Sequence, residues 1–479
     1  MKKKLQIVYI AVFLLLCCVP MALKPFSGGA KAIGNEAENE FPQLIGEDGV
    51  NRGFSTEADA WFSKQNPLRV PLINAENTLR LSLLRGSSNG VIQGKNGWLF
   101  SEETLDDYFG VTLSPRALYS MAKTVRLTQD AAEREGSRFV FTVAPNKNTL
   151  YPQYMPARYI RGENSNLSLL RQYLDKLGVH RLDMEQALAG QKNDLYLRDD
   201  THWNNLGALY GYNAIMDALD REHESYNGAS YTYRQAWTGD LTKMAFPDSG
   251  RVCGQYYFDY QMDSVSFRQP RGGDKAALLE ELMGDSEMRD GLIRTDNPSG
   301  QGSLYMLRDS FGRAMLPYFI SQYQSATVSR YYPFAVQAGY DDMVWEIVER
   351  NLPTLTETAP RAFAAVTDRE LPEQACDSPD NSMRTDDSAA GSLRLFGTLD
   401  SHMLDTESNI YVQLQSEKQT LCYEAFPVYE QELLGGADSG NGFSLLLSTQ
   451  DIPKGSYSAV VFTDGKKAAH TQPLQTITI

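Results

Sequence analysis

The sequence is poor in histidine and cysteine, and it lacks the short motifs that build common metal sites. It contains five histidines and five cysteines in 479 residues. Neither a Cys-x-x-Cys pair nor a His-Glu-x-x-His segment occurs, so a zinc signature is absent. Only Cys253, Cys376 and Cys422 follow the N-terminal apolar segment. At most one disulfide can therefore form in that part of the chain, which excludes a disulfide scaffold.

Basic residues are also scarce relative to acidic ones. The 45 Lys and Arg residues face 60 Asp and Glu residues, which gives a net charge of -15. A protein that binds nucleic acid needs a basic face, so this balance argues against nucleic acid as a partner. The composition, with 42% hydrophobic and 22% charged residues, is that of a globular protein. A chain of this length is expected to hold about two or three domains.

The N-terminus predicts export. Lys2, Lys3 and Lys4 precede an apolar segment at residues 5–23, which together form the charged region and apolar core of an export signal. The segment Ala30-Lys31-Ala32 fits a cleavage site, but the apolar segment is also long enough for an uncleaved anchor. We therefore expect residues 1–30 to be a signal peptide or a membrane anchor. The rest of the protein is predicted to be extracytoplasmic, either anchored or secreted.

The pattern from residue 31 to residue 375 predicts a helical segment followed by an α/β domain. Residues 31–89 hold two helical patterns separated by prolines, and they form an N-terminal lead-in. A hairpin is predicted at 90–103, because Asn96-Gly97 is a strong tight-turn signal. Residues 114–135 and 165–178 are amphipathic helices, and the apolar segment 138–145 is typical of a strand buried in a parallel sheet. We assign 90–375 to one α/β layered domain.

The pattern changes beyond residue 375. Residues 376–392 are polar, contain Pro, Gly and Ser, and lack periodicity, so they are predicted to be a linker. Residues 393–479 consist of short alternating segments with turn residues between them. This is typical of an all-β sandwich.

Among the five histidines, His202 has the context of a catalytic base. It lies at a loop-to-helix junction, because the residues after Asn205 carry a helical apolar pattern. In an extended loop, side chains two residues apart point to the same side. Asp200 can therefore orient His202, whereas Asp199 points away. A serine nucleophile requires this combination of a base and an orienting carboxylate.

Two of the serines that directly follow an aspartate are candidates for the nucleophile. Ser286 lies in "GDS", but charged residues surround it on both sides. Ser310 in "LYMLRDSFGRAM" directly follows an apolar strand and directly precedes a helix, where an exposed hydroxyl and backbone N–H groups can meet a reacting carbonyl. A motif needs its structural setting, so we predict Ser310 as the nucleophile.

Four more residues are candidates for substrate binding. Asn146 and Lys147 follow the strand 138–145 at its carboxyl end, where open α/β sheets place ligands. Lys147 could offset oxyanion charge or bind substrate, although both residues could equally belong to a capped surface loop. Arg330, after the segment "ATVS", is a weaker candidate of the same kind. Trp203 is also named as a candidate for substrate binding, but core packing is favoured over stacking on a substrate.

Two other interpretations of the His202 segment remain open. Asp200 could simply cap the following helix beside a surface histidine. Alternatively, Asp199, Asp200 and His202 could bind a metal ion, but further histidine ligands are lacking. We therefore predict that there is no metal site.

Five segments in order resemble a known family: "GKNGWLF", "VAPNKNTLYPQYMP", "DTHWNNLGA", "WTGDLTKM" and "RDSFG". They are similar to the DHHW and alginate O-acetyltransferase (AlgJ/AlgX-like) proteins, extracytoplasmic members of the SGNH hydrolase superfamily. The resemblance covers about residues 36–352. It implies an SGNH-like (flavodoxin-like) three-layer α/β domain in which the Asp-x-His block precedes the serine block. Arg308 departs from the pattern, because many relatives have glycine at that position.

The resemblance also implies roles and partners. Ser310 is expected to be the nucleophile, His202 the general base and Asp200 its orienter. Such proteins commonly act on O-acetyl groups of exported polysaccharides, often beside a membrane-bound O-acyltransferase that supplies acetyl groups. We expect an O-acetyltransferase acting through an acetyl-serine intermediate, without a cofactor. The alternatives are a carbohydrate acetylesterase with the same triad and a non-catalytic polysaccharide-binding or assembly protein.

Overall fold

The computed structural model describes residues 2–23, 40–46, 49–66, 68–83, 86–247, 249–268, 291–330, 334–387, 391–428 and 440–479. The predicted cleavage segment Ala30-Lys31-Ala32 and the rejected candidate Ser286 lie outside these residues. Within the described part of the chain, no helix combines the length and apolar character that a membrane crossing requires.

The N-terminal region contains three helices and two small sheets. The helices are α1 (Lys2–Leu23), α2 (Phe54–Lys64) and α3 (Arg69–Thr78), and a π-helical turn at Leu79–Leu83 follows α3. The strands are β1 (Ile45–Gly46), β2 (Gly49–Val50), β3 (Ser87–Ser88), β4 (Val91–Gln93) and β5 (Leu99–Ser101). β4 and β5 form the predicted hairpin, and both Asn96 and Gly97 have positive φ in its turn.

The central region alternates helices and strands. Its helices are α4 (Leu105–Phe109), α5 (Pro115–Arg134), α6 (Lys147–Leu150), α7 (Asn166–Lys176), α8 (Met184–Leu188), α9 (Asn205–Ala218), α10 (Asp240–Ala245) and α11 (Leu316–Gln322). Its strands are β6 (Arg138–Ala144), β7 (Arg181–Leu182), β8 (Tyr231–Trp237), β9 (Cys253–Phe258), β10 (Ser266–Phe267), β11 (Leu292–Asp296), β12 (Ser303–Leu307), β13 (Ser325–Ser329) and β14 (Asp342–Val348).

Seven of these strands form the central sheet, in the order β10-β11-β13-β12-β14-β6-β7. The five strands from β13 to β7 are parallel, and β11 and β10 extend the sheet in antiparallel fashion. β8 and β9 pair with each other in a separate hairpin. Because the carboxyl ends of parallel strands meet at one edge, the loops after β6, β12 and β14 lie near one another.

Helices cover both faces of this sheet. Phe139, Phe141 and Val143 of β6 pack against α5 and α7 on one face. Val140 and Ala144 of the same strand pack with residues of α9 and α11 on the other face. Burial on both faces explains why β6 is a continuous apolar segment. The predicted three-layer SGNH-like α/β fold is confirmed.

The C-terminal region is all-β. Its strands are β15 (Ala375–Cys376), β16 (Ser382–Asp386), β17 (Ser392–Thr398), β18 (Ile410–Gln415), β19 (Thr420–Val428), β20 (Gly442–Ser448), β21 (Ser456–Thr463), β22 (His470–Thr471) and β23 (Gln475–Thr478). They form one continuous hydrogen-bonded sheet. Side chains from its distant strands share one core, as in Leu393, Val412 and Ile477, so the predicted β-sandwich character is confirmed.

Part of the predicted linker 376–392 is regular structure, because β16 pairs with β17. The domain boundaries themselves stay a prediction.

The C-terminal sheet contacts α5, where Tyr119 Oη donates to Asn409 Oδ1 at 2.8 Å and Lys123 pairs with Glu424 at 2.5 Å. It therefore packs on the face of the central sheet opposite to α9.

Candidate active site

The turn after β12 carries Ser310, and the preceding Asp309 holds that turn in place. Asp309 Oδ1 accepts a hydrogen bond from the Phe311 N–H at 2.9 Å. Its Oδ2 accepts from the Val348 N–H at 2.7 Å and from Asn351 Nδ2 at 3.2 Å. This carboxylate ties the turn to the end of β14 and to the segment that follows. Ser310 itself has an ordinary helical conformation (φ −66°, ψ −25°).

Arg308 and Gly312 shape the same turn from behind. Arg308 is buried, and its Nη1 donates to the Asp309 carbonyl at 3.0 Å. A Cβ atom at Gly312 would lie 2.5 Å from Arg308 Cβ and 2.8 Å from Glu346 Oε2, so only glycine fits without movement. The arginine that departs from the family pattern is thus accommodated within the turn by the glycine four residues later.

A short hairpin presents His202 to Ser310. Tyr196 and Trp203 form an isolated β-bridge, and the Leu197 N–H donates to the His202 carbonyl at 3.1 Å. Asn204 then caps α9 by accepting from the Gly207 N–H at 2.9 Å. Trp203 Nε1 donates to the Phe311 carbonyl at 2.9 Å. This bond joins the hairpin, residues 196–203, to the turn that carries Ser310.

Ser310, His202 and Asp200 form a continuous chain of hydrogen bonds. His202 Nε2 lies 2.8 Å from Ser310 Oγ, and His202 Nδ1 lies 2.7 Å from Asp200 Oδ1. Asp200 Oδ1 also accepts from the His202 N–H at 2.9 Å. The imidazole can therefore accept the serine proton at Nε2 while Nδ1–H faces a carboxylate. This is the arrangement that activates a serine hydroxyl.

Segments distant in the chain complete the surroundings of Asp200. Trp237 Nε1 and the Asp240 N–H donate to Asp200 Oδ2 at 3.0 Å and 3.1 Å. Both residues belong to the segment "WTGDLTKM", whose role the sequence did not reveal. With its Oδ1 bound by His202 and its Oδ2 bound by these two donors, Asp200 is fixed in one orientation.

Asp240 is a second carboxylate beside the imidazole. Its Oδ2 lies 3.6 Å from His202 Nδ1 and accepts from Thr201 Oγ1, while its Oδ1 accepts from the Thr201 N–H at 2.8 Å. Asp200, His202 and Asp240 are the one group of potential metal ligands found in the described residues. Asp199, which had been considered as a ligand, instead accepts from Thr242 Oγ1 at 3.2 Å.

These contacts set the protonation of the pair. Burial opposes charge on both groups, but their mutual hydrogen bond and attraction outweigh it. The pKa of Asp200 therefore lies below its usual value and the pKa of His202 above its own. The charge of Asp240 further raises the pKa of His202, whereas Arg350 lowers it. Burial and the charge of Asp200 together raise the pKa of Asp240.

Arg350 is a cation beside this pair that had no signal in the sequence. Its guanidinium lies 5.4 Å from the centre of the Phe311 ring, and that ring lies 4.8 Å from the imidazole of His202. Its side chain is 17% exposed and its ion pair with Glu103 is loose, at 3.9 Å. Arg350 follows the end of β14, so only the order of strands in the sheet brings it to Ser310.

The substrate contact predicted for Lys147 needs correction. Lys147 is only 5% exposed, and its Nζ donates to the carbonyls of Arg198 and Asp200 at 2.9 Å and 2.7 Å. The ammonium also lies 5.3 Å from the Trp98 ring. Burial lowers the pKa of Lys147 to about 8, against the opposing charge of Asp200. Lys147 therefore braces the loop of Asp200 from inside the protein.

Asn146 and Trp203 are also buried. Asn146 has no exposed surface, and its N–H donates to Glu349 Oε2 at 2.8 Å. Trp203 is 1% exposed and lies 5.2 Å from Phe311 in an edge-to-face contact. Neither side chain can touch a substrate in this structure, because ligand contact requires accessible surface. The core packing favoured for Trp203 describes its position.

Arg330 lies in a neighbouring cavity. Together with Asp309 and Asn351 it lines a cavity of about 120 Å³. In the described part of the chain, the lining of this cavity includes neither Ser310 nor His202. The structure thus brings Ser310, His202 and Asp200 together and leaves Arg330 outside their hydrogen-bond network.

Part of the chain is similar to a known family of proteins. Residues 91–289 match the family model described as "SGNH hydrolase-like domain, acetyltransferase AlgX". The matched range includes Asp200 and His202 and ends before Ser310.

Curated relatives named "Probable alginate O-acetylase AlgJ" also match. The protein of Pseudomonas syringae pv. tomato is 27% identical over 315 residues, which cover 62% of this chain and 73% of the relative. That of Pseudomonas aeruginosa is 29% identical over 213 residues, which cover 43% of this chain and 50% of the relative. The second match therefore spans half the length of its relative.

Two solved structures give weak matches. A DHHW family protein from Eubacterium siraeum gives a TM-score of 0.42 at 15% identity, covering 56% of this chain and 93% of that one. The O-acetyltransferase domain of Pseudomonas putida AlgJ gives 0.34 at 19% identity, covering 55% and 92%.

Proposed function

We propose that this chain is an O-acyltransferase that transfers acetyl groups to a polysaccharide, and the match of residues 91–289 to the SGNH hydrolase-like, acetyltransferase AlgX model supports this. The relatives named for alginate support a polysaccharide as acceptor. The observation that carries the proposal is the 2.8 Å contact between His202 Nε2 and Ser310 Oγ, backed by Asp200. We place the reaction outside the cytoplasm, as the charged and apolar N-terminus indicates.

In the first half of the reaction, Ser310 Oγ attacks the carbonyl carbon of an acetyl donor. His202 Nε2 takes the hydroxyl proton, and Asp200 stabilises the resulting imidazolium. When the tetrahedral intermediate collapses, the bond to the leaving group breaks and the leaving oxygen takes the proton from His202. The acetyl group remains as an ester on Ser310, and the imidazole is neutral again. Arg350 offsets the negative charge that develops on the carbonyl oxygen.

In the second half, a hydroxyl of the polysaccharide replaces the leaving group. His202 removes its proton, the sugar oxygen attacks the acetyl carbon, and Ser310 Oγ leaves with the proton from His202. The acetyl group ends on the sugar, and the enzyme returns to its starting state. Water in place of the sugar would give acetate, so transfer and hydrolysis differ only in the acceptor.

An acceptor screen tests this proposal. The protein is incubated with p-nitrophenyl acetate and a set of oligosaccharides, and the products are analysed by mass spectrometry. We expect acetylated oligosaccharide with the wild type and none with Ser310→Ala. Release of free acetate alone, with every acceptor, would assign the chain to the acetylesterases. If Ser310→Ala released acetyl groups from p-nitrophenyl acetate as fast as the wild type, the role of Ser310 as nucleophile would be rejected.

A further inference from the structure

A second cavity lies beside the hairpin of His202, and the reaction above does not use it. It is open to solvent and has a volume of about 830 Å³, within the range of about 300–1,000 Å³ typical of ligand sites. The turn between β4 and β5, the segment before the hairpin, and β8 and β9 form its walls. The side chains in these walls include Asn96, Lys192, Asn193, Tyr233, Gln235 and Arg251.

The walls have the chemistry that recognises sugars. Tyr233 is 51% exposed, and its ring lies 4.9 Å from that of Tyr256, which also lines the cavity. Exposed aromatic faces pack against the apolar faces of sugar rings. The side-chain amides of Asn96, Asn193 and Gln235 can donate to and accept from hydroxyl groups. A hydroxyl-rich ring with apolar faces fits this combination.

The charges of the cavity favour a ligand with carboxylates. Arg198 pairs with Asp194 at 2.9 Å, and Asp199 is engaged by Thr242. Lys192 and Arg251, by contrast, pair with no carboxylate among the residues that the structure describes. Arg251 lies over the Phe246 ring, 3.8 Å from its centre, and this cation–π contact favours its position at the cavity wall. Lys192 and Arg251 thus present positive charge to the cavity.

The cavity is connected to the candidate active site through shared elements. Arg198 and Asp199, which line it, directly precede Asp200. β8 supplies Tyr233 and Gln235 and ends at Trp237, whose Nε1 donates to Asp200 Oδ2. A chain bound in the cavity therefore lies next to the hairpin that presents His202, although its bound sugars are not those that react.

We propose that this cavity is an accessory site for a segment of an acidic polysaccharide. One sugar ring packs on Tyr233, and carboxylates of the chain pair with Lys192 and Arg251. The site keeps a long acceptor near Ser310 while a different sugar is acetylated. The identification of the bound chain as the acceptor rests on the proposed function, but the binding itself does not require catalysis.

Direct binding to catalytically inactive protein tests the site. A uronic-acid hexasaccharide is titrated calorimetrically into Ser310→Ala protein, with neutral cellohexaose as the comparison. Tyr233→Ala and Arg251→Gln are each added to this background. The matched controls are Tyr257→Ala and Arg234→Gln, since these two side chains stack on each other at 5.2 Å on the same hairpin and do not line the cavity.

We expect the acidic hexasaccharide to bind, and each cavity variant to weaken binding about tenfold, while the control variants bind as the parent does. Absence of binding to the parent, or equal binding by cavity and control variants, would overturn the proposal. Equal affinity for cellohexaose would overturn the acidic character of the ligand. When each cavity substitution is made in protein that retains Ser310, the protein should hydrolyse p-nitrophenyl acetate at the wild-type rate. Thermal unfolding of each variant checks that it folds.

Failure of the site and failure of the proposed function give different results. If the hexasaccharide binds as expected but the wild type acetylates no oligosaccharide, the accessory site stands and the proposed transfer fails. If acetyl transfer occurs but the cavity variants bind and transfer normally, the proposed function stands and the accessory site is rejected.

Discussion

Asp240 Oδ2 lies 3.6 Å from His202 Nδ1, on the same side of the imidazole as the 2.7 Å bond from Asp200 Oδ1. Two carboxylates therefore stabilise the protonated imidazole, and Arg350, whose guanidinium lies 5.4 Å from the centre of the Phe311 ring, opposes them. The basicity of His202 is thus set by charges from three separate parts of the chain. Each of these charges can be removed by a single substitution.

Replacement of Asp240 by asparagine should shift the pH dependence of the reaction. His202 must be neutral to accept the proton of Ser310, so kcat/KM rises as pH increases through its pKa. Asp240→Asn removes a negative charge near Nδ1, so that pKa falls. We expect the acidic limb to move to lower pH by roughly one unit, because asparagine can still accept from the Thr201 N–H. An unchanged limb would show that Asp240 has no electrostatic role.

Replacement of Arg350 by glutamine should have the opposite effect. Loss of this cation raises the pKa of His202, so the acidic limb of kcat/KM moves to higher pH. If Arg350 also offsets charge on the carbonyl oxygen, kcat falls at the pH optimum by about tenfold to a hundredfold. Glu103→Gln is the matched control, since it removes the loose partner of Arg350 and keeps the cation. A shift to lower pH in Arg350→Gln would refute this arrangement.

Replacement of Lys147 by methionine should impair the catalytic loop without a direct effect on substrate binding. The change removes two charge-assisted hydrogen bonds to the carbonyls of Arg198 and Asp200. We expect a loss of about 3 kcal/mol in the free energy of unfolding and a decrease in kcat with little change in KM. Urea unfolding and steady-state kinetics measure both effects.

Lys95→Met is the control for Lys147, because Lys95 also donates to a backbone carbonyl, that of Gln153 at 3.2 Å, but is exposed. This control should unfold as the wild type does. A selective increase in KM for Lys147→Met would instead indicate that Lys147 contacts the substrate after all.

Replacement of Glu349 by glutamine should flatten the pH dependence of stability. Burial raises the pKa of Glu349 from 4.5 to about 7. Its contribution to stability is therefore fully present below about pH 4.5 and is lost as pH rises through about 7. Between pH 5 and pH 8 the wild type should lose roughly 2–3 kcal/mol more than Glu349→Gln does. Urea unfolding at both pH values measures this difference, with the exposed Glu135→Gln as control.

Equal pH dependence in the wild type and Glu349→Gln would mean that Glu349 ionises as easily in the folded protein as in the unfolded chain. Glutamine can keep the acceptor for the Asn146 N–H and the Thr149 hydroxyl, which Glu349 Oε2 provides now. A large loss of stability at pH 5 would therefore also be unexpected.

Local pattern was sufficient for much of the fold. The apolar segment 138–145 and the periodic segments 114–135 and 165–178 appear as β6, α5 and α7 with nearly the expected bounds. The pattern was less informative where pairing depends on distant residues. β16 lies in a polar segment and exists through its pairing with β17, and the two residues of β7 form a strand through their pairing with β6.

In the candidate site, too, local pattern predicted some residues, and others depend on contacts between distant segments. Alternation in the loop placed Asp200, but not Asp199, toward His202, and the strand-to-helix context distinguished Ser310 as its partner. Lys147 was considered for substrate binding because sequence does not show which side of a loop is buried. Core packing was favoured for Trp203, and the structure buries that side chain. Asp240, Trp237 and Arg350 reach the site from segments that only the fold brings together. The catalytic roles of Ser310, His202 and Asp200 stay a prediction.

The most direct test of those roles is to trap the acetyl-enzyme. Wild-type protein is mixed with p-nitrophenyl acetate, quenched in acid within the first turnover, digested and examined by peptide mass spectrometry. We expect one added acetyl group, located on Ser310, and its absence from Ser310→Ala and from His202→Ala. An acetyl group on another residue, or equal labelling of Ser310→Ala, would contradict acyl transfer through Ser310.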